Sequence, residues 1–374
     1  MADRWPPSSA FLWPALAAAS ASEMAALFAE QFAQLAVDTP AAPAAVEAAP
    51  PAWTSRNRIR LELPTMRLRD FSTSPAAATT LICAPFALHG STISDFAPGH
   101  SLVAALLAAG RTRLFVTEWR SATPEMRFLA IDNYLADLNV AVEDVGGAVD
   151  LIGLCQGGWM ALMYAARFPA KVRRIVLAGA PIDMRAADAG IASIAANTPL
   201  NVFRELVRLG DGRMLGRHAL AVWQQTFIST YEVRKALQLS ADVLPDDDPL
   251  IAQFRAWYAW AVDLPGTYYL QVAEQLFQDN ALAAGRFLAL GRHIDLADIE
   301  VPLLMLAARA DELVATAQMF AAEKLVATPP AQIKKMVAPC NHLGLFMGAR
   351  TLAERWPTIA RWMSGDAEPR AISG

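Results

Sequence analysis

The stretch GLCQGG, Gly153 to Gly158, sets a thiol between two glycines at a spacing that suits nucleophilic catalysis. Cys155 follows the apolar run VDLIGL and precedes GGWMALMYAARFP, so it reads as the tip of a strand–turn–helix. A turn of this kind forces its central residue into a strained backbone conformation, and glycine at either flank avoids collisions there. Gly158 would let the helix pass close to the strand. The turn exposes the sulfur at a helix N-terminus, which favours thiolate. The backbone N–H of Gln156 is then set to donate to an oxyanion. A lone cysteine after a strand is ordinarily a core residue; the spacing and setting favour the nucleophile.

A thiol nucleophile needs a base and a group to orient that base. His342, in APCNHLG, and Asp311, in AARADELV, each follow an apolar run that reads as a strand. Glu312 competes with Asp311, but Asp311 lies nearer its strand end. Nucleophile, acid, histidine is the chain order of α/β-hydrolases. A second oxyanion donor should come from the loop after TTLICAPF. Pro85 has no N–H, which leaves Phe86 or Ala87. His89 in the same loop either meets substrate or makes a loop-stabilising hydrogen bond. Cys83 reads as core, and Cys340, two residues from His342, as a strand-end filler or a pocket neighbour.

These side chains must be held at the carboxyl ends of parallel strands, where open sheets bind ligands. RIRLEL and MRLRDF read as a leading hairpin. TTLICAPF, RLFVTEW, VDLIGLC and VRRIVLAGAP then alternate with the helical SLVAALLAAG, FLAIDNYLADLNVAVEDVG and GGWMALMYAARFP. Strict alternation predicts a mostly parallel sheet with helices on both faces. The alternation stops near Asp183 and resumes near Val301. Between them PLNVFRELVRLG, ALAVWQQTFISTYEVRKAL, PLIAQFRAWYAWAVD and TYYLQVAEQLFQDNAL read as helices. The expected organisation is a core of residues 57–183 and 299–374 with a helical cap inserted at 184–298. Trp257 and Trp260, three apart, are expected on one helix face as core packing. Residues 1–56 hold a predicted helix, Ser22 to Val37, and an Ala/Pro linker. That helix is either an appendage packed on the domain or an amphipathic surface anchor.

Composition narrows the function. The net charge of −4 and the lack of a basic block give nothing to hold nucleic acid or anionic lipid. Three cysteines, with no C-x-x-C pair, make neither a disulfide framework nor a zinc site, so no metal or cofactor is expected and a reducing cytoplasm is the default. Asp3 and Pro14 argue against reading AFLWPALAAASAS as a signal peptide, and no run is long enough for a spanning helix.

The same residues resemble the catalytic domain shared by polyhydroxyalkanoate synthases and intracellular polyhydroxyalkanoate depolymerases. GLCQGG resembles the synthase box G-x-C-x-G-G, and TEWRSATPEMRFLAIDNYLADL the segment before it. AGAPIDMR, TYYLQVAEQLFQDNAL and APCNHLGLFMGAR with ERWP resemble depolymerase signatures. Depolymerases usually have Pro after their Cys-Gln, where this chain has Gly157; Asn341 and Leu343 stand where they have Gly and Tyr. The match runs in patches over residues 57–365. It implies an α/β-hydrolase fold, a Cys155–His342–Asp311 triad, and a hydroxyalkanoate polyester or oligomer as substrate. Trp119, in the W-R landmark, joins His89 as a candidate for substrate contact. The implied place is cytoplasmic, with the polymer granule as one location and a homo-oligomer left open. Hydrolysis of the polyester is the first reading. Acyl transfer from 3-hydroxyacyl-coenzyme A is the second, and a non-catalytic granule-coating protein the third. A general carboxylesterase or thioesterase is a vaguer fourth.

Overall fold

The computed structural model describes residues 50–223, 229–239 and 248–365. Its centre is an eight-stranded sheet. In chain order the strands are β1 (Arg58–Glu62), β2 (Met66–Asp70), β3 (Thr80–Cys83), β4 (Leu114–Trp119), β5 (Val149–Leu154), β6 (Val172–Ala178), β7 (Leu303–Ala308) and β8 (Ile333–Ala338). Their order across the sheet is β1-β2-β4-β3-β5-β6-β7-β8. The leading hairpin pairs antiparallel, and β2 joins β4 antiparallel; every later pairing is parallel.

Successive residues on the parallel strands feed opposite cores, as the two-residue period requires. Leu81, Leu151 and Ile175 enter one apolar cluster, and Ile82, Ile152 and Val176 the other. The first cluster is covered by α2 (Ile131–Asp144) and α3 (Gln156–Arg167). On the second side lie α1 (Leu102–Ala108) and the terminal helix Trp356–Ser364. The central strands are buried on both faces, which is why they read as unbroken apolar runs.

Between β6 and β7 come α4 (Gly190–Asn197), α5 (Leu200–Leu209), α6 (Gly216–Trp223), α7 (Thr230–Leu237), α8 (Pro249–Ala259) and α9 (Gly266–Gln271). These helices divide between the two cores. Val233 and Phe254 join one, and Leu206 and Tyr268 the other.

Three local expectations need correcting. ALAVWQQTFISTYEVRKAL is two helices rather than one, because Ser229 caps α7 by accepting from the Glu232 N–H at 3.2 Å. Trp260 is not on a helix face with Trp257: α8 ends at Ala259, and Trp260 turns extended so that its carbonyl can meet His89. TYYLQVAEQLFQDNAL is not one α-helix either. After α9 it widens to a π-helical run, Val272–Gln278, which closes through Asp279 N–H to Glu274 C=O at 2.8 Å. The predicted N-terminal helix and most of the Ala/Pro linker lie outside the described residues.

Candidate active site

The turn between β5 and α3 has the strain that its sequence implies. Cys155 holds φ 49° and ψ −122°. For a non-glycine residue this costs about 1–3 kcal/mol and persists only where its surroundings enforce it. The surroundings are glycines. A Cβ on Gly153 would stand 2.5 Å from the Gly158 Cα, and one on Gly157 would stand 2.1 Å from the Cys83 carbonyl oxygen. A Cβ on Gly158 would meet the Ala180 Cβ at 2.2 Å. Each glycine therefore answers to a different neighbour: the elbow's own helix, the end of β3, and the loop after β6. Cys155 is half-buried, and its N–H is anchored to the Ala178 carbonyl at 2.8 Å.

Asp311 follows β7 and His342 follows β8, and the two meet. His342 Nδ1 lies 3.0 Å and 2.9 Å from the two Asp311 oxygens. Both side chains are almost fully buried. Asp311 Oδ1 also accepts the N–H groups of Leu313 at 3.0 Å and Val314 at 2.9 Å, which fixes the carboxylate. Burial opposes the charged imidazole, but the charges of Asp311 and Cys155, with hydrogen bonds to both, outweigh it and hold the His342 pKa well above its usual value. Glu312 meets the backbone of His342 rather than its ring. Its Oε2 accepts the His342 backbone N–H at a long 3.4 Å, and burial of the carboxylate raises its pKa.

Gly179 was not among the expected site residues, yet the imidazole needs it. Its φ is +57°, and a Cβ there would stand 3.0 Å from His342 Cε1. The signal in the sequence was a glycine directly after a strand, in AGAP. Asn341 stands where the resembled signature has glycine. Its side chain accepts the Gly344 N–H at 3.0 Å and so starts the short helix after the histidine. Cys340 is buried beside Asp311, His342 and Glu312, and its thiol is pushed up to about 11, chiefly by burial.

The loop after β3 runs along the elbow. Among the described residues no acceptor is found for the backbone N–H of Phe86, Ala87 or Gln156. The loop is held from two sides. Trp119 donates its indole N–H to the Ala84 carbonyl at 2.7 Å, and its ring packs 5.6 Å from Tyr134 and 6.2 Å from Phe86. His89 Nδ1 meets the Trp260 carbonyl at 3.1 Å, and the ring lies 4.5 Å from Trp257 and 4.4 Å from Tyr258. The Val262 N–H donates to the Leu88 carbonyl at 2.7 Å. Trp119 and His89, the two candidates for substrate contact, both brace this loop. Trp119 is buried, and its one N–H is already committed within the protein. His89 is buried, held neutral with a pKa lowered to about 4 by burial, and ties the loop to the segment after α8.

Two motifs quoted for the resemblance meet away from the sulfur. Asn280 donates to Asp183 Oδ1 at 2.8 Å and accepts the Met184 N–H at 3.0 Å, so FQDN clasps PIDMR. Gln318, fully buried, adds hydrogen bonds to the Ala187 and Ala189 carbonyls at 2.8 and 3.2 Å. Nothing in its local sequence marked it.

Comparison with known proteins now bears on this geometry. The model of the family described as "Protein of unknown function (DUF3141)" matches residues 62–347. The chain belongs to this family. It is also similar to curated proteins named poly(3-hydroxyalkanoate) polymerase subunit PhaC. The one from Allochromatium vinosum is 25% identical over 281 residues, spanning 73% of this chain and 77% of its own. That of Synechocystis is 28% identical over 290 residues, spanning 72% and 73%. The resemblance to the polyhydroxyalkanoate superfamily read from the motifs is thus borne out. Among solved structures, a putative lipase from Acinetobacter baumannii superposes with a TM-score of 0.52 at 15% identity, over 83% of this chain and 93% of that one. A monoacylglycerol lipase from Paleococcus ferrophilus gives 0.52 at 15%, over 81% and 99%. The fold is the α/β-hydrolase fold. Among the described residues no helix is long and apolar enough to cross a membrane.

Proposed function

We propose that the protein is an acyl-transfer enzyme that carries a 3-hydroxyalkanoyl group as a thioester on Cys155. The observation that carries this reading is the buried His342–Asp311 pair coupled to a sulfur at a strained, glycine-flanked turn. Nδ1–H of His342 donates to Asp311, which leaves Nε2 for the thiol proton. The thiolate attacks the ester or thioester carbonyl, and the oxyanion is held by the N–H of Gln156 with that of Phe86 or Ala87. Collapse expels the leaving alkoxide or thiolate, which takes the proton from His342. An acceptor O–H then gives its proton to His342 and attacks the acyl carbon, and Cys155 is released.

The acceptor distinguishes two readings. An alcohol at the end of a growing chain makes the protein synthase-like, and the polymerase names of the curated relatives favour it. The required pair Gly157–Gly158, as in the synthase box, points the same way. Water makes it a polyester hydrolase, which the AGAPIDMR and FQDN segments favour as sequence likenesses. We read the helices between residues 184 and 298 as a cap over the sheet's carboxyl edge, and the working place as the polymer surface in the cytoplasm.

Incubation with 3-hydroxybutyryl-coenzyme A is expected to release coenzyme A and form polymer. Soluble acids from amorphous polymer, without polymer formation from the thioester, would move the assignment to the hydrolase. Cys155→Ala should lower either turnover by roughly 10^4-fold or more. Unchanged turnover in that variant would remove the nucleophile and the reading with it.

A further inference from the structure

The cluster behind the Phe86 loop holds polar atoms that the steps above do not use. Gln156 and Trp159 are three residues apart at the start of α3, so they share a helix face. Both are at least nine-tenths buried, and neither Gln156 Oε1 nor Trp159 Nε1 has a hydrogen-bond partner among the described residues. The Trp159 ring lies 6.4 Å from Tyr268, and Tyr268 lies 5.2 Å from Phe86. Phe86 comes back to the elbow, because Gly157 packs directly on the Cys83 and Ala84 carbonyls just before it. Trp159, Tyr268 and Phe86 thus follow one another from the face of α3 that carries Gln156 to the loop after β3. Tyr134 lies 4.8 Å from both Phe86 and Tyr268, and its hydroxyl is buried without a partner as well.

A buried acceptor and a buried donor without partners, on one helix face, are each costly unless something satisfies them. A hydroxyl satisfies both, since it donates to Gln156 Oε1 and accepts from Trp159 Nε1. We infer that Gln156 and Trp159 form a hydroxyl-reading subsite for the 3-hydroxyl of the acyl group on Cys155. The inference rests on the acyl-transfer reading above and adds to it a reason for substrate choice. The hydroxyl sits two carbons from the carbonyl, and Gln156 is the residue next to the nucleophile, so the reach is short. The aromatic walls suit the short apolar chain that carries the hydroxyl. A site with committed polar groups rejects the analogue that leaves them unpaired.

The test is Cys155 acylation, which precedes any choice of acceptor. p-Nitrophenyl 3-hydroxybutyrate and p-nitrophenyl butyrate both release p-nitrophenolate at that step. The wild type should favour the hydroxylated ester by about tenfold or more in the acylation rate constant. Trp159→Phe keeps the ring and removes the N–H; Gln156→Met keeps the length and the backbone N–H. Each should bring the ratio toward one, and because it is a ratio within one variant, a general loss of activity does not imitate the effect. A wild-type ratio near one, or a ratio that survives both substitutions, overturns the subsite and leaves the acyl-transfer reading standing. Failure of the wild type to be acylated by either ester overturns both.

Discussion

At the residue scale the deciding contact is between His342 and Asp311. Without the carboxylate, burial alone would lower the histidine's pKa; with it, and with the sulfur, the pKa stands well above the usual value. The sign of the linkage follows. A raised folded pKa contributes stability that is fully present below about pH 6.5, the unfolded value, and is lost as pH rises through the folded value. Asp311→Asn should therefore cost most stability near pH 6, and its deficit against wild type should narrow at alkaline pH in thermal melts. A deficit that stays constant with pH would mean that the pair is not what raises the histidine. The same variant should lower the acylation rate by about 10^4-fold, as expected when an imidazole loses its orienting carboxylate. The sequence marked both residues through their position after strands. It did not mark Gly179, whose role comes from a ring delivered by another strand 163 residues later, at His342.

At the scale of elements, the elbow is a junction of three segments, and Gly158 is where α3 touches the loop after β6. A methyl there would press on the Ala180 Cβ at 2.2 Å, and both atoms belong to backbone-fixed positions that cannot rotate away. Gly158→Ala should destabilise by about 1–3 kcal/mol. Ala180→Gly in the same chain should recover part of that loss. Denaturant midpoints of the two single variants and the double variant give the coupling, and simple additivity would show that the contact is not the cause. This makes the last glycine of GLCQGG a packing requirement as well as a family likeness. Trp119 and His89 belong to the same scale. The resemblance marked Trp119 for substrate contact, and the sequence left His89 between substrate contact and loop support. Their partners, the Ala84 and Trp260 carbonyls, make them supports of the loop that carries Phe86 and Ala87.

At the scale of the whole molecule, the candidate site and a buried ion-pair network sit at opposite ends of the sheet. Near the amino ends of β3, β5 and β6, buried Asp150 is paired with Arg111 and accepts from Arg173 Nε at 3.0 Å. Arg111 also donates to Thr80 Oγ1 at 2.9 Å, and Arg173 to the Thr79 carbonyl at 2.8 Å. Arg111, Asp150 and Arg173 line a surface cleft of about 410 Å³, whose lining includes none of Cys155, His342 and Asp311. Asp150→Ala leaves a buried guanidinium unpaired and should cost about 3–5 kcal/mol. Urea unfolding measures the loss. The per-molecule acylation rate of the folded fraction should change less than twofold, and a selective loss of acylation would instead connect this end of the sheet to the site.

The sequence by itself determined the strand–helix alternation, the elbow at Cys155 and the order of Cys155, Asp311 and His342, because these depend on local periodicity and on spacing within a few residues. Helix boundaries between β6 and β7 were less legible. Caps such as Ser229 and tethers such as Trp260 to His89 decide them, and a tether is a long-range contact. The preference for Asp311 over Glu312, read from its place nearer the strand end, agrees with the contact that His342 makes. Only the tertiary structure brought FQDN against PIDMR, and left buried Gln156, Trp159 and Tyr134 with polar atoms unpartnered among the described residues. Each of these depends on which strand ends come together in space, and no short window of the chain contains that information.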